Sequence, residues 1–255
     1  MEWLLQFSNQ LPALGLVVLR SSGLFFSAPL FGQSRIPMIV RAMFALAIGV
    51  LVFPFLKLAP GQVPNNVINW MIAAGLEVTV GVIYGWGATL VFEGMVLAGQ
   101  LIGLQMGFGQ ANVLNPESQT QRPLLSEIYF ILALMVFFSF NGHHFFILAF
   151  EKSFDAVPLA QFAFSARTLE QLMTLFSQVF LIALVIAAPM CGVLTFIDIV
   201  LGLIARTAPQ MNVLIISFSI KIYIGLLTLL ISLSFTLQFL RDTLPALLEQ
   251  LLRLF

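Results

Sequence analysis

Four ionisable side chains, Glu77, Glu93, Asp198 and Lys221, stand inside stretches that are otherwise apolar. A charge in such a place needs an opposite charge, a partner chain or a water-filled path, and each of these is a functional use. Glu93 and Gln100 are seven residues apart and therefore share one helix face. They read either as a satisfied interhelical hydrogen bond or as part of a conduction path, and Glu77 carries the same two readings. Asp198 and Lys221 lie at nearly equal distances on either side of Pro209. Antiparallel packing about that turn brings them to similar depth. A structural ion pair is the preferred reading over a proton relay, because a lone buried charge costs several kcal/mol. Helix phase decides whether the two side chains meet.

Other chemistries lack the residues they need. Adjacent helical side chains diverge by about 100°, so the pair His143-His144 does not chelate one ion from a single helix, and no His or Glu stands at a complementary spacing. Cys191 is the only cysteine, which excludes an internal disulfide and a cysteine metal cluster. No nucleophile elbow, phosphate-binding loop or nucleotide fingerprint occurs, so neither catalysis nor a cofactor is expected. The 11 Lys and Arg are dispersed singly and balanced by 11 Asp and Glu, which leaves no footprint for nucleic acid.

The elements that must position these groups are long apolar helices. Of the 255 residues 60% are hydrophobic and 9% charged, with a mean hydropathy of +1.03. A soluble domain is about 25% charged, so this chain cannot cover itself with polar surface, and lipid or partner subunits must do so. Crossing about 30 Å of hydrocarbon takes roughly 20 residues of helix. Segments of that kind run from about Leu11 to Phe31, Ile39 to Leu58, Val67 to Gln105, Leu124 to Leu148, Leu172 to Ala205 and Met211 to Leu240. The fold class expected is therefore all-α, an integral membrane protein of about six long helices. The third segment is either one long helix or one bent near Gly81 to Gly87. The last two form a helical hairpin, and the tail from Arg241 to Phe255 reads as a short amphipathic helix at an interface. Lys and Arg divide almost evenly between the two sides of such a bundle, so the positive-inside rule sets no clear orientation. Met1-Glu2-Trp3 lacks the basic start of a secretory signal, and proline spoils the cleavage site at Phe26-Ser27-Ala28-Pro29. The first segment is expected to stay in the mature protein.

Two further patterns carry information. Gly99, Gly103 and Gly107 recur every four residues and strip one helix face of side chains, which favours close packing of another backbone. The polar run from Met106 to Gln121 follows, with glycines, amides and isolated apolar residues between two apolar helices. Irregular backbone at membrane depth survives only when buried in protein or facing water. This run is thus either a plug or an ordinary surface loop.

Several motifs run in order along the chain. The first is Leu19-Arg20-Ser21-Ser22-Gly23-Leu24-Phe25-Phe26-Ser27-Ala28-Pro29-Leu30-Phe31-Gly32 with Arg35-Ile36-Pro37 and Arg41, and the next is Glu93-Gly94 with Gly99 through Gly107. Phe140-Asn141-Gly142-His143-His144, Ser153-Phe154 and Pro158-Leu159 follow, and the turn Ala208-Pro209-Gln210-Met211-Asn212 comes last. Taken together, and over nearly the whole chain, this order of motifs resembles the FliR family of type III export-gate proteins.

What the resemblance implies is a subunit that joins FliP and FliQ in a helical export gate contacted by FlhB, in the bacterial inner membrane at the flagellar basal body. Unfolded flagellar proteins would be the substrates. The resemblance also implies a part similar to FliP over about residues 1–160 and a part similar to FliQ over about 161–255. The polar run then corresponds to the family's plug, made of Met106, Gly107, Phe108, Gly109, Val113, Leu114, Asn115 and Pro116. In it, Phe108, Val113 and Leu114 act as apolar stoppers, and Gly107 and Gly109 as a hinge. Energy for export would come from other chains. Two rivals remain: the corresponding subunit of a virulence injectisome, and a secondary transporter lined by Glu77, Glu93, Asp198 and Lys221, although no inverted repeat supports the latter.

Overall fold

The computed structural model describes residues 2–28, 36–56, 64, 66–108, 123–208, 210 and 213–252. Among these, every regular element is helical: α1 (Glu2–Ser27), α2 (Met38–Val52) with a 3-10 turn Phe53–Phe55, α3 (Val67–Gln105), α4 (Leu124–Ser139), α5 (Gly142–Ala156), α6 (Ala166–Thr207) and α7 (Val213–Leu252). The third segment forms one continuous helix, α3. At 39 residues, α3 is about 58 Å long, nearly twice the hydrocarbon thickness. The segment expected between Leu124 and Leu148 is instead two helices. Phe140 and Asn141 interrupt it, Asn141 takes a left-handed backbone (φ 59°), and the chain restarts at Gly142. Asparagine adopts that conformation more readily than other residues with a Cβ, which is why the break falls there.

The tail also differs from expectation. It is no separate interfacial helix but the end of α7, which continues through Pro245 to Leu252. Leu244, Leu247, Leu248 and Leu251 are buried within the chain. Their helical spacing therefore reports packing rather than contact with a headgroup layer.

The chain forms two compact units that alternate along the sequence, one made of residues 1–90, 141–175 and 246–255, the other of 91–140 and 176–245. In the first, α1 packs against the first half of α3 through glycine. A Cβ on Gly23, Gly81 or Gly85 would meet backbone atoms of the facing helix, so the two main chains lie in direct contact. Thr89 seals that contact by donating to the Ser27 carbonyl at 2.7 Å, and Ser21 donates to Ala45 of α2 at 2.7 Å. In the second, the Phe92 ring of α3 meets Phe130 of α4 in a tilted contact at 5.9 Å and Phe137 edge-on at 5.6 Å, and the Tyr129 hydroxyl reaches the Met190 sulfur of α6 at 3.4 Å.

Candidate functional site: two charge clusters and the end of the third helix

The first cluster lies in the first unit and centres on a residue that sequence reasoning passed over. Arg20 is fully buried in α1. Its Nε donates to Glu77 Oε2 of α3, its Nη1 to the Ser153 carbonyl at 2.9 Å and hydroxyl at 3.2 Å, and its Nη2 to the Val157 carbonyl at 2.9 Å. The guanidinium also lies 4.1 Å from the Phe154 ring centroid. Glu77 uses its other oxygen to accept from the Ala160 N–H at 2.8 Å. A planar cation with a fixed fork of donors suits this role, because it can join one carboxylate and several carbonyls at once. The carbonyls of Ser153 and Val157 lie at the C-terminal end of α5, where the negative helix pole favours a cation, and the Ser153 carbonyl also accepts the Val157 N–H at 2.9 Å. The available signal was simple: an arginine in mid-segment deserved the same question as Glu77.

The second cluster lies in the second unit. Lys221 Nζ of α7 pairs with Asp198 Oδ1 of α6. Gln105, the last residue of α3, donates to Asp198 Oδ2 at 3.4 Å and to the Thr195 hydroxyl at 3.2 Å. The pair is only partly shielded, the Lys221 side chain being 17% and the Asp198 side chain 39% exposed. Its two ends should therefore couple by about 1 kcal/mol, between the values of surface and buried pairs. A double-mutant cycle with Asp198→Asn and Lys221→Met, read as thermal stability in detergent, is expected to give that coupling. Additive losses would show that the two charges are solvated separately.

The glycine period of α3 serves three different purposes. A Cβ on Gly99 would lie 2.6 Å from the Ser126 backbone, so α3 and α4 touch there. At Gly103 only a Leu125 methyl lies nearby, at 3.9 Å. Gly107 ends the helix. Its φ is +89°, its N–H bonds to the Leu104 carbonyl at 3.0 Å, and the Phe108 N–H bonds to the Gly103 carbonyl at 3.0 Å. These paired bonds are a Schellman cap, for which glycine is the favoured residue.

Of the remaining residues singled out above, Glu93 and Gln100 are half-buried on α3, and Met106 is fully buried. Gly109, Val113, Leu114, Asn115, Pro116, Pro209, Met211 and Asn212 lie outside the described residues, while Gln210 is exposed in a turn. The His143 and His144 rings lie with centroids 4.3 Å apart and their planes tilted by 55°. Among the described residues no group of three or more His, Cys, Asp or Glu could hold a metal ion.

Four helices are long and apolar enough to cross a bilayer, or five if α4 and α5 form one broken span. With no strand among the described residues, the chain is an all-α integral membrane protein. The profile of the bacterial export proteins, family 1, matches residues 11–246, and the chain belongs to that family. It is 32% identical over 227 residues to the flagellar biosynthetic protein FliR of Bacillus subtilis, covering 88% of this chain and 86% of that one. Flagellar biosynthetic proteins FliR of Aquifex aeolicus and Escherichia coli are 30% and 29% identical, over 82% of this chain and 80% and 79% of theirs.

Proposed function

We propose that this protein is a structural and gating subunit of a flagellar type III export gate. It assembles with FliP and FliQ, is contacted by FlhB, and sits in the inner membrane at the flagellar basal body. Unfolded flagellar proteins pass through the assembly. The part up to about residue 160 is the FliP-like portion and the remainder the FliQ-like portion.

The observation that carries this reading is the membership of an export family combined with helices whose apolar faces stay open. In the most apolar stretch of α7 only 6% of residues are buried by the chain itself, and Tyr223, Leu230 and Ile231 are 77%, 69% and 71% exposed. Lipid alone could cover such faces. The charged groups, however, are met inside the chain at Arg20–Glu77 and Asp198–Lys221 rather than along a small-molecule path, which favours a scaffold over a transporter. The relatives named above are flagellar, which favours that assignment over an injectisome.

Gating falls to the run after Gly107. A polypeptide must pass while small ions do not, so the closed state needs apolar side chains on a segment that can be displaced. Phe108, Val113 and Leu114 fill that role, and the Gly107 cap supplies the break from which the segment leaves α3. Deleting Gln110 to Gln121 is expected to preserve copurification with the partner subunits and to raise the ion permeability of cells making the assembly. Assembled complexes of unchanged ion tightness would refute the plug.

A further inference from the structure

Three residues of α7, Phe218, Lys221 and Gly225, are spaced three and four apart and so line one helical face. Each meets the end of α3 in a different way, and all the residues involved lie in the second unit. The Phe218 ring closes on the backbone of the cap, so that a Cβ on Gly107 would stand 3.1 Å from it. Lys221 holds Asp198, which in turn accepts from Gln105. Gly225 leaves the space that Met106 fills: a Cβ there would lie 2.6 Å from the Met106 methyl, 2.9 Å from its sulfur and 3.0 Å from its Cγ. Met106 is fully buried as a result, although its neighbours Gly107 and Phe108 are only half-buried.

We propose that this face is a seat that positions the root of the gate segment. Met106 acts here as an anchor rather than as a stopper. The seat holds the Gln105–Phe108 turn on the hairpin through one apolar socket, one ring contact and one charge-assisted bridge. The turn therefore follows the hairpin arms. The elements are complementary by type. A flexible thioether fills an irregular gap well, and only glycine opposite leaves that gap. The bridge adds direction, since the Gln105 amide reaches Asp198 only while Lys221 keeps that carboxylate in place. Gln105, Met106, Phe218, Lys221 and Gly225 are in this sense positioning residues. The inference rests on the plug reading above.

The test uses the full chain expressed with its partner subunits, in the variants Gly225→Leu and Gln105→Leu beside the deletion of Gln110 to Gln121. Partner copurification and cellular ion permeability are measured for each. The expected result is ordinary copurification with permeability raised towards the level of the deletion, more by Gly225→Leu, which evicts Met106, than by Gln105→Leu, which removes one arm of the bridge. If Gly225→Leu fails to assemble, Gln105→Leu carries the test, because it changes a half-buried side chain of similar size. Ion-tight variants beside a leaking deletion would overturn the seat and leave the plug standing. A deletion that does not leak removes the plug and the seat together. Loss of assembly in Gln105→Leu would also overturn the proposal, since the cluster would then be a folding element.

Discussion

Arg20→Met is expected to destabilise the protein by about 3–5 kcal/mol, the cost of stranding one member of a buried ion pair. The loss follows from what remains. The Glu77 carboxyl would be left with only the Ala160 N–H as a partner, and the carbonyls of Ser153 and Val157 would lose their shared donor. Arg20→Met combined with Glu77→Leu is expected to be less damaging than Arg20→Met alone, because the uncompensated carboxylate is gone. Glu77→Gln keeps an acceptor for one of the two donors and turns an amide NH2 to the other, and should fall between the native protein and Arg20→Met. Thermal unfolding of the detergent-purified chain gives the order. A double variant as unstable as the sum of its parts would show that the pair contributes little as a pair.

The second large effect belongs to a glycine. Gly81→Ala puts a methyl group against the Arg20 carbonyl, with Leu24 N at 2.8 Å and Arg20 C at 3.0 Å. These are main-chain atoms of a facing helix, so no side chain can swing aside and α1 must retreat. The expected cost is about 3 kcal/mol, the upper end for overpacking, and the retreat also pulls Arg20 from Glu77. Gly75 on the same helix is the control. Nothing lies within 4 Å of a Cβ there, so Gly75→Ala should be neutral or stabilising by up to about 1 kcal/mol, the difference in helix propensity. Equal losses in the two variants, measured by thermal unfolding in detergent, would refute the close main-chain contact.

The helices were largely legible because apolar runs of this length have few alternatives. The all-α membrane class follows from composition, and the hairpin from the turn between Arg206 and Gln210. Two boundaries were not legible. The break at Asn141 depends on one left-handed residue within an apolar stretch whose flanks match a single span, and hydropathy is blind to that. The tail leucines have the same spacing whether they meet a headgroup layer or a protein core, so only burial separates the cases.

The sites divide in the same way. Symmetry about the turn brings Asp198 and Lys221 to one depth, but whether they touch depends on helix phase. The partners of Glu77 come from residues 20 and 160, separations at which sequence offers no geometry. Gly99, Gly103 and Gly107 look alike as a repeat and differ only in what faces each of them. The segment after Phe108 stays an inference from resemblance.

The reach of the Arg20 guanidinium also bears on how the chain enters the bilayer. Its carboxylate follows 57 residues later and its carbonyl acceptors more than 130 residues later, so α1 leaves the ribosome long before its counterion exists. An arginine at the centre of a membrane helix costs about 2.5–3.5 kcal/mol to insert, and α1 carries no counterion of its own. The burial of Arg20 is therefore compensated only once α3 has brought Glu77 to it.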